Sequence, residues 1–380
     1  MVAGQVPYRD FALEYPPLAT LAFWLPAQFA PDNSLKSYRA GFGLEMVACN
    51  LFAAIAALWA WRRHLPRVVP LGLLAIWPLW LLIAGQSLTL ERFDLWPAAL
   101  VVLALSLHLT DRTRLAWIVL GLGAASKLYP ILIAPLFLIA QGQRRTFRQV
   151  VGDGLACAAA ILLPTLLVTR GDLLAVRGFF DYHLARGLEI ESLYASILML
   201  GRFAGGELNW AFRYGSIELV APLAGFCASL ALPTSMIAVG ISYAAAWRTR
   251  PGEDGAMGSP QFTWLVRASL TTVTAFVIFG KVLSPQYLLW LIPLAALIPG
   301  RRGLRAWGIL TVVLLLTLCV NPLFWNDLSG FAPTAIIIVL ARNIVLLGFF
   351  IALLVPLRDT PDAAQQPVTR TTLRHEPAAH

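Results

Sequence analysis

Ionisable and hydroxyl side chains gather in a few short stretches of an otherwise apolar sequence. Residues 4–17 (GQVPYRDFALEYPP) set Asp10 and Glu14 beside Arg9 and rigid Pro turns. A carboxylate there, its pKa raised by partial burial, can act as general base toward a sugar hydroxyl. The same residues also read as a polar interfacial loop with an Arg9–Asp10 or Arg9–Glu14 pair. In Glu91-Arg92-Phe93-Asp94, Arg92 suits a phosphate and Asp94 can orient it or a hydroxyl, although Asp94 can equally serve the dipole of the helix that follows. In Ser126-Lys127-Leu128-Tyr129-Pro130, a lone Lys127 inside an apolar run is expensive unless it snorkels or pairs, and a phosphate is a natural partner. Tyr129 stands beside it as a polar group of the same site.

The fourth stretch is 181–192 (DYHLARGLEIES). On a helix, Tyr182, Arg186 and Glu189 share a face, as do His183 and Arg186. Arg186 is a candidate phosphate ligand, with His183 and Glu191 as further polar groups, while a solvated amphipathic helix with internal salt bridges has the same pattern. The fifth, Gly280-Lys281-Val282-Leu283-Ser284-Pro285-Gln286-Tyr287, is a tight turn. Its Lys281, Ser284 and Gln286 can donate to phosphate or sugar oxygens, or simply form an ordinary polar turn. In the stretch 321–327, Trp325 reads as an interface anchor.

The elements that carry these stretches must be membrane helices. Of 380 residues, 58% are hydrophobic and 13% charged, and the mean hydropathy is +0.71. No water-soluble core hides that much apolar surface, so the bilayer is the solvent. About eleven apolar segments follow, at 42–61, 68–84, 93–110, 114–126, 129–141, 149–168, 217–247, 262–280, 284–299, 303–324 and 333–356. The short fourth and fifth make a hairpin with Lys127 at its tip, and Pro233 is expected to kink the long 217–247 run. The fold expected is therefore all-α, a polytopic membrane helical bundle in one domain over 1–356, with a disordered cytoplasmic tail at 357–380.

Arg62, Arg63 and Arg67, then Arg112 with Arg114, Arg144 with Arg145 and Arg148, Arg248 with Arg250, and Arg301 with Arg302 and Arg305 mark successive cytoplasmic loops. That rule explains the net charge of +9, and nucleic acid is not expected as a partner. The five stretches then share the outer face, where their charges point to a polar site for an anionic ligand. Residues 170–216 are expected to form a structured loop on that face. The 16–30 run, short and interrupted by Pro26, reads as an interfacial helix rather than a span. Cys49, Cys157, Cys227 and Cys319 lie in apolar runs without CxxC spacing, and the His are scattered. Neither a disulfide framework nor a metal or other cofactor is expected.

In order, GQVPYRDFALEYPPL, ERFDLWPA, SKLYPILIAPLF, YHLARGLEIESL and KVLSPQYLLWLIPL resemble the bacterial polyprenol-phosphate-mannose-dependent transferases of glycosyltransferase family 87. The resemblance covers about residues 4–300. It implies a GT-C bundle in the plasma membrane with an extracytoplasmic site, and a polyprenyl-phosphate hexose donor, commonly mannose. It further implies an inverting transfer to a lipid or cell-envelope glycan acceptor, with a first-loop Asp as base. In the family a span and an Asp-x-x-x-Tyr segment precede the GQVPYRDF-like stretch, and this sequence begins after them. About eleven spans are thus expected, twelve if an upstream span is missing through a misassigned start or a truncated, inactive form, and Asp10 and Glu14 take the base role here. Two other classes share the composition. A transporter or flippase of a lipid-linked or anionic solute would show paired internal repeats, which are not evident. A non-catalytic assembly subunit is the third.

Overall fold

The computed structural model describes residues 5–11, 13–30, 34–142, 145–252 and 259–355. The 357–380 tail and Arg144 lie outside the described residues. Five helices are long and apolar enough to cross a bilayer: Leu35–His64, Phe147–Val168, Ala224–Arg248, Gly300–Leu323 and Pro333–Leu354. Shorter apolar helices run at Gly72–Ala84, Leu95–Leu109, Thr113–Ser126, Tyr129–Gln141, Leu193–Ala204 and Pro285–Ala296, and a further helix spans Ser259–Ile278. This is a multi-pass membrane protein. Phe147–Val168 turns Leu155, Leu163 and Leu167 outward, as suits a helix bathed in hydrocarbon.

The Pro285–Ala296 helix is the buried centre. From Leu288 to Ile298 the chain is enclosed, with Leu291, Ile292, Leu294, Ala295 and Ala296 fully inaccessible. Two glycines let neighbours reach its end. A Cβ on Gly72 would lie 1.9 Å from the Ala296 carbonyl oxygen, and one on Gly303 would lie 2.1 Å from that of Ile298. Two indole N–H groups at this centre, costly to leave bare in hydrocarbon, find partners within the bundle. Trp307 donates to the Ala295 carbonyl (2.9 Å) and Trp80 to the Thr311 hydroxyl (2.8 Å).

Helix ends follow local chemistry. Thr146 and Gln149 form a capping box at the start of Phe147–Val168, and Ser192 caps the Leu193–Leu198 helix through the Ala195 N–H. Arg62, Arg63 and His64 close the Leu35–His64 helix, where cations suit the dipole.

Of three sequence expectations, that of a helix too short to span in the 16–30 run holds and two change. The 217–247 run is not one kinked helix. Its first residues belong to β2 (Ser216–Val220), paired antiparallel with β1 (Asn209–Arg213), and the helix begins only at Ala224. Tyr214 and Gly215 both take positive φ (49° and 68°) at the turn, the geometry that matches strand twist in a tight hairpin. The bundle is therefore helical with one small hairpin. The 16–30 run forms a helix only over Ala19–Gln28, about 15 Å long at 1.5 Å per residue and too short to span. Third, the helix that starts at Arg177 ends at Ala185. Arg186 and Glu189 lie beyond it, so the helical face expected for Tyr182, Arg186 and Glu189 does not exist. Gly187 follows the break and bonds through its N–H to Glu218 (2.7 Å).

Candidate functional site

The segments that carry the candidate residues converge over the amino-terminal end of the buried central helix. Leu188–Ile190 runs beside β2, with the Ile190 N–H donating to Ile217 (3.0 Å) and the Leu219 N–H to Leu188 (2.8 Å). Extended backbone alternates sides. Leu188 and Ile190 enter an apolar cluster with Met199, Leu219 and Val339, which turns Glu189 the other way. Its N–H bonds the Lys281 carbonyl (3.0 Å), fastening this segment to the Lys281 turn. The amino-terminal loop is fastened to the Lys127 hairpin by the Leu18 N–H and the Ala125 carbonyl (2.8 Å).

At the centre, Lys127 Nζ lies 2.6 Å from Asp94 Oδ1. The same oxygen accepts the Trp290 indole N–H at 2.7 Å. Three rings surround the ammonium, with centroids at 5.5 Å (Tyr15), 5.0 Å (Tyr287) and 4.8 Å (Trp290). Trp290 is stacked between Tyr129 (4.1 Å) and Tyr287 (4.3 Å). The Tyr129 hydroxyl and Asp94 Oδ2 are buried without partners. Lys127 is thus neutralised by a carboxylate of its own chain.

Tyr287 lies within electrostatic range of Glu14, Asp94, Arg186 and Glu189, which places the other groups around the same point. Glu14 Oε2 accepts from the Tyr182 hydroxyl (2.9 Å), and its carbonyl oxygen sits 3.0 Å from His183 Nε2. Lys281 Nζ donates to the carbonyls of Leu184 (3.1 Å) and Arg186 (2.6 Å). Those partners are neutral, so Lys281 keeps its full charge and one spare N–H. Burial, then the nearby Arg186 cation, lower its pKa. Burial also lowers the His183 pKa and favours the neutral ring. Ser284 donates to Gln286 Oε1 (2.7 Å) at the same turn. Arg92 is exposed, at the rim beside buried Asp94.

Two candidates stand apart. Asp10 is held by Arg9 (Nε–Oδ1 2.9 Å) and by the Val6 N–H (2.7 Å). Its pKa is not raised by burial but lowered to about 2, chiefly by the Arg9 hydrogen bond and then that of Val6. A carboxylate so stabilised is a poor base. Glu191 does not face the polar cluster. It is buried against Arg342 (2.6 Å), whose guanidinium also bonds the Glu191 carbonyl, while Asn343 reaches that carbonyl (3.1 Å) and Ser196 (3.0 Å). Glu191 is a strut joining the 188–192 segment to the Pro333–Leu354 helix.

Sequence reasoning missed Arg342 and Asn343, although an Arg in a helix of mean hydropathy 2.6 is itself a signal of a buried partner. It also passed over Trp290, whose polar contact lies 196 positions away, and chose Glu191 where Glu189 faces the site.

The sequence profile of glycosyltransferase family 87 matches residues 13–266. No curated protein matches the chain. Among solved structures, a similar chain is the crystal structure of ArnT from Cupriavidus metallidurans bound to undecaprenyl phosphate, at 13% identity and a TM-score of 0.46. The alignment covers 90% of this chain and 66% of that one, so the chain spans just under two thirds of its length.

Proposed function

On the premise that the chain belongs to glycosyltransferase family 87, we propose that it moves a hexose, with mannose as first choice, from a polyprenyl-phosphate donor to a lipid or cell-envelope glycan. The site faces outward from the plasma membrane in a GT-C arrangement, the whole within one domain. The carrying observation is the convergence of Glu14 with Arg186 and Lys281 around the Tyr287–Trp290 stack.

Each group has a role in this reading. Glu14 takes the proton of the acceptor hydroxyl, whose oxygen attacks C1 of the sugar. The C1–O bond to phosphate breaks on the opposite face, so the anomeric centre inverts. Arg186 and Lys281 receive the charge of the departing polyprenyl phosphate, and Arg92 guides it at the rim. Lys127 does not serve as a free cation, because Asp94 already balances it. The Asp94–Lys127 pair instead fixes the aromatic wall, and Tyr129, His183, Ser284 and Gln286 line the remainder.

The test is transfer of labelled mannose from polyprenyl-phosphate mannose in membranes carrying the chain. Glu14→Gln and Lys281→Met should each lose about 100-fold or more in rate, with Asp10→Asn close to wild type. Full activity in Glu14→Gln, or loss in Asp10→Asn alone, would move the base elsewhere. Solute movement with no new glycosidic bond would instead establish a transporter.

A further inference from the structure

Next to the transfer centre, two buried polar atoms of opposite kind are left unmatched. Arg186 Nε, a donor, and Glu189 Oε2, which accepts when ionised, are both buried without a hydrogen-bond partner. They sit three positions apart on the segment that joins β2 to the Lys281 turn, and the Arg186 cation acts on the Glu189 carboxyl. A free Arg and Glu this close would ordinarily form a bidentate pair. Here they do not, because each is held in place by its backbone. Arg186 offers its carbonyl to Lys281 Nζ (2.6 Å), Gly187 is tied by its N–H to Glu218 (2.7 Å), and Glu189 is tied to the Lys281 carbonyl (3.0 Å). The Leu283 backbone also hydrogen-bonds the Glu189 carboxyl. Glu189 is 7% exposed, so water cannot hydrate its second oxygen freely.

A buried donor and a buried acceptor that cannot reach each other each cost free energy until a third group serves both. A hydroxyl is the smallest group able to do so, since it accepts from Arg186 and exchanges a hydrogen bond with Glu189. We propose that Arg186 and Glu189 form a hydroxyl-recognition pair for the donor sugar, specific for the hydroxyl on the carbon next to the anomeric carbon. The proposal rests on the transferase reading above. In that reading the guanidinium faces the leaving phosphate, and its remaining nitrogens meet the phosphate while Nε meets a neighbouring group. The sugar hydroxyl nearest the phosphate is the one at C2. Burial and the Glu191 carboxylate raise the pKa of Glu189. A hydroxyl tolerates either state of that carboxyl, whereas a phosphate oxygen would be repelled by its ionised form.

The experiment uses the full chain in detergent with polyprenyl phosphate alone, polyprenyl-phosphate mannose, glucose and galactose, and their 2-deoxy analogues. Affinity and transfer are both read for wild type and Glu189→Leu, which removes every hydrogen-bonding atom of that side chain. Wild type should prefer each 2-hydroxy donor that binds over its 2-deoxy partner by about 10–100-fold, the cost of stranding buried polar groups. Glu189→Leu should lose most of that preference while binding bare polyprenyl phosphate like wild type. Equal losses on 2-hydroxy and 2-deoxy donors overturn the proposal, because a merely structural role would give that result. Weaker binding of bare polyprenyl phosphate by Glu189→Leu also overturns it and assigns the pair to the phosphate. Absence of transfer from all three sugars in wild type defeats the transferase reading instead, and affinity still decides the hydroxyl pair.

Discussion

Removing Lys127 should cost far more stability than removing its partner Asp94. The two sites are unequal: the Asp94 side chain is 1% exposed and that of Lys127 13%. Lys127→Met leaves a buried carboxylate with one remaining donor, the Trp290 indole. Breaking a buried pair from one side costs about 3–5 kcal/mol, and one neutral donor offsets little of it. Asp94→Asn keeps an amide oxygen for Trp290 and strands only the ammonium. That cation still has three rings within 5.5 Å, each worth about 0.5–2 kcal/mol. The expected loss for Asp94→Asn is therefore about 1–2 kcal/mol. Once the charge on both sides is gone, Lys127→Met with Asp94→Asn should recover most of the loss of Lys127→Met alone. Unfolding of the purified chain in detergent, read for wild type, both singles and the double, measures the cycle. Equal losses in the two singles, or simple additivity in the double, would refute the charge-compensation argument.

Arg342→Met should destabilise by about 3–5 kcal/mol, and Arg342→Met with Glu191→Gln by much less; the same unfolding assay checks this, and donor affinity of the double should match wild type. Gly121→Ala should lower the melting temperature, because its Cβ would lie 2.5 Å from the Cys157 carbonyl oxygen in a contact between the Thr113–Ser126 and Phe147–Val168 helices. Overpacking of this kind costs about 1–3 kcal/mol. For pH, Glu189 has its folded pKa raised above the ordinary 4.5, so the stability it contributes is present below that value and is lost as pH rises through the folded one. Thermal scans at several pH values should show wild type losing stability toward alkaline pH more steeply than Glu189→Gln. Asp10 has the opposite sign, its folded pKa being about 2 against an ordinary 3.8. Its contribution holds above 3.8 and fades as pH falls through the lower value, which Asp10→Asn should abolish in acid scans. Leu174, 83% exposed after the Phe147–Val168 helix, tests the proposed outward orientation: in a background free of native Cys, Leu174→Cys should label in intact cells with an impermeant thiol reagent.

Much of the bundle was legible because hydrocarbon imposes one rule on every span. The apolar runs at 42–61 and 149–168 lie on helices long enough to cross, and those at 303–324 and 333–356 overlap the Gly300–Leu323 and Pro333–Leu354 helices, also long enough. Charge at membrane depth was equally legible in Lys127, since an unpaired ammonium there is too costly to be idle. What failed depended on direction. The Tyr182–Glu189 stretch has helical spacing, but the chain leaves the helix after Ala185, and side chains then alternate with period two. That change of period sends Glu189 into the polar cluster, and the turn that follows carries Glu191 to Arg342. The β2 strand was hidden for a related reason: Ser216–Val220 runs into the apolar helix start, and hydropathy does not distinguish the two.

Under the proposed transferase function, charge accounting decides which cations can meet a departing phosphate. A cation already balanced by a buried carboxylate adds little field at a third point, while one held by neutral carbonyls acts with its whole charge. Lys127 belongs to the first kind through Asp94, and Arg342 does so through Glu191. Lys281 belongs to the second, with the Leu184 and Arg186 carbonyls at its ammonium and the Glu218 carboxylate acting on it without pairing among the described residues. Arg186 joins it, because Glu189 is close enough to be felt yet forms no ion pair, and the burial that raises the Glu189 pKa favours its neutral form. The positive field thus comes from the loop side, at 186 and 281, while the hairpin side supplies a neutral aromatic wall. An anionic headgroup would bind toward the loops and leave the sugar against Tyr287 and Trp290, with Glu14 reaching it through the Tyr182 edge. Moving the compensating carboxylate should move the site: Asp94→Asn frees a cation on the wall and should tighten binding of bare polyprenyl phosphate while slowing transfer. Weaker phosphate binding in that variant would show that Lys127 needs Asp94 for its placement more than it loses to it in charge.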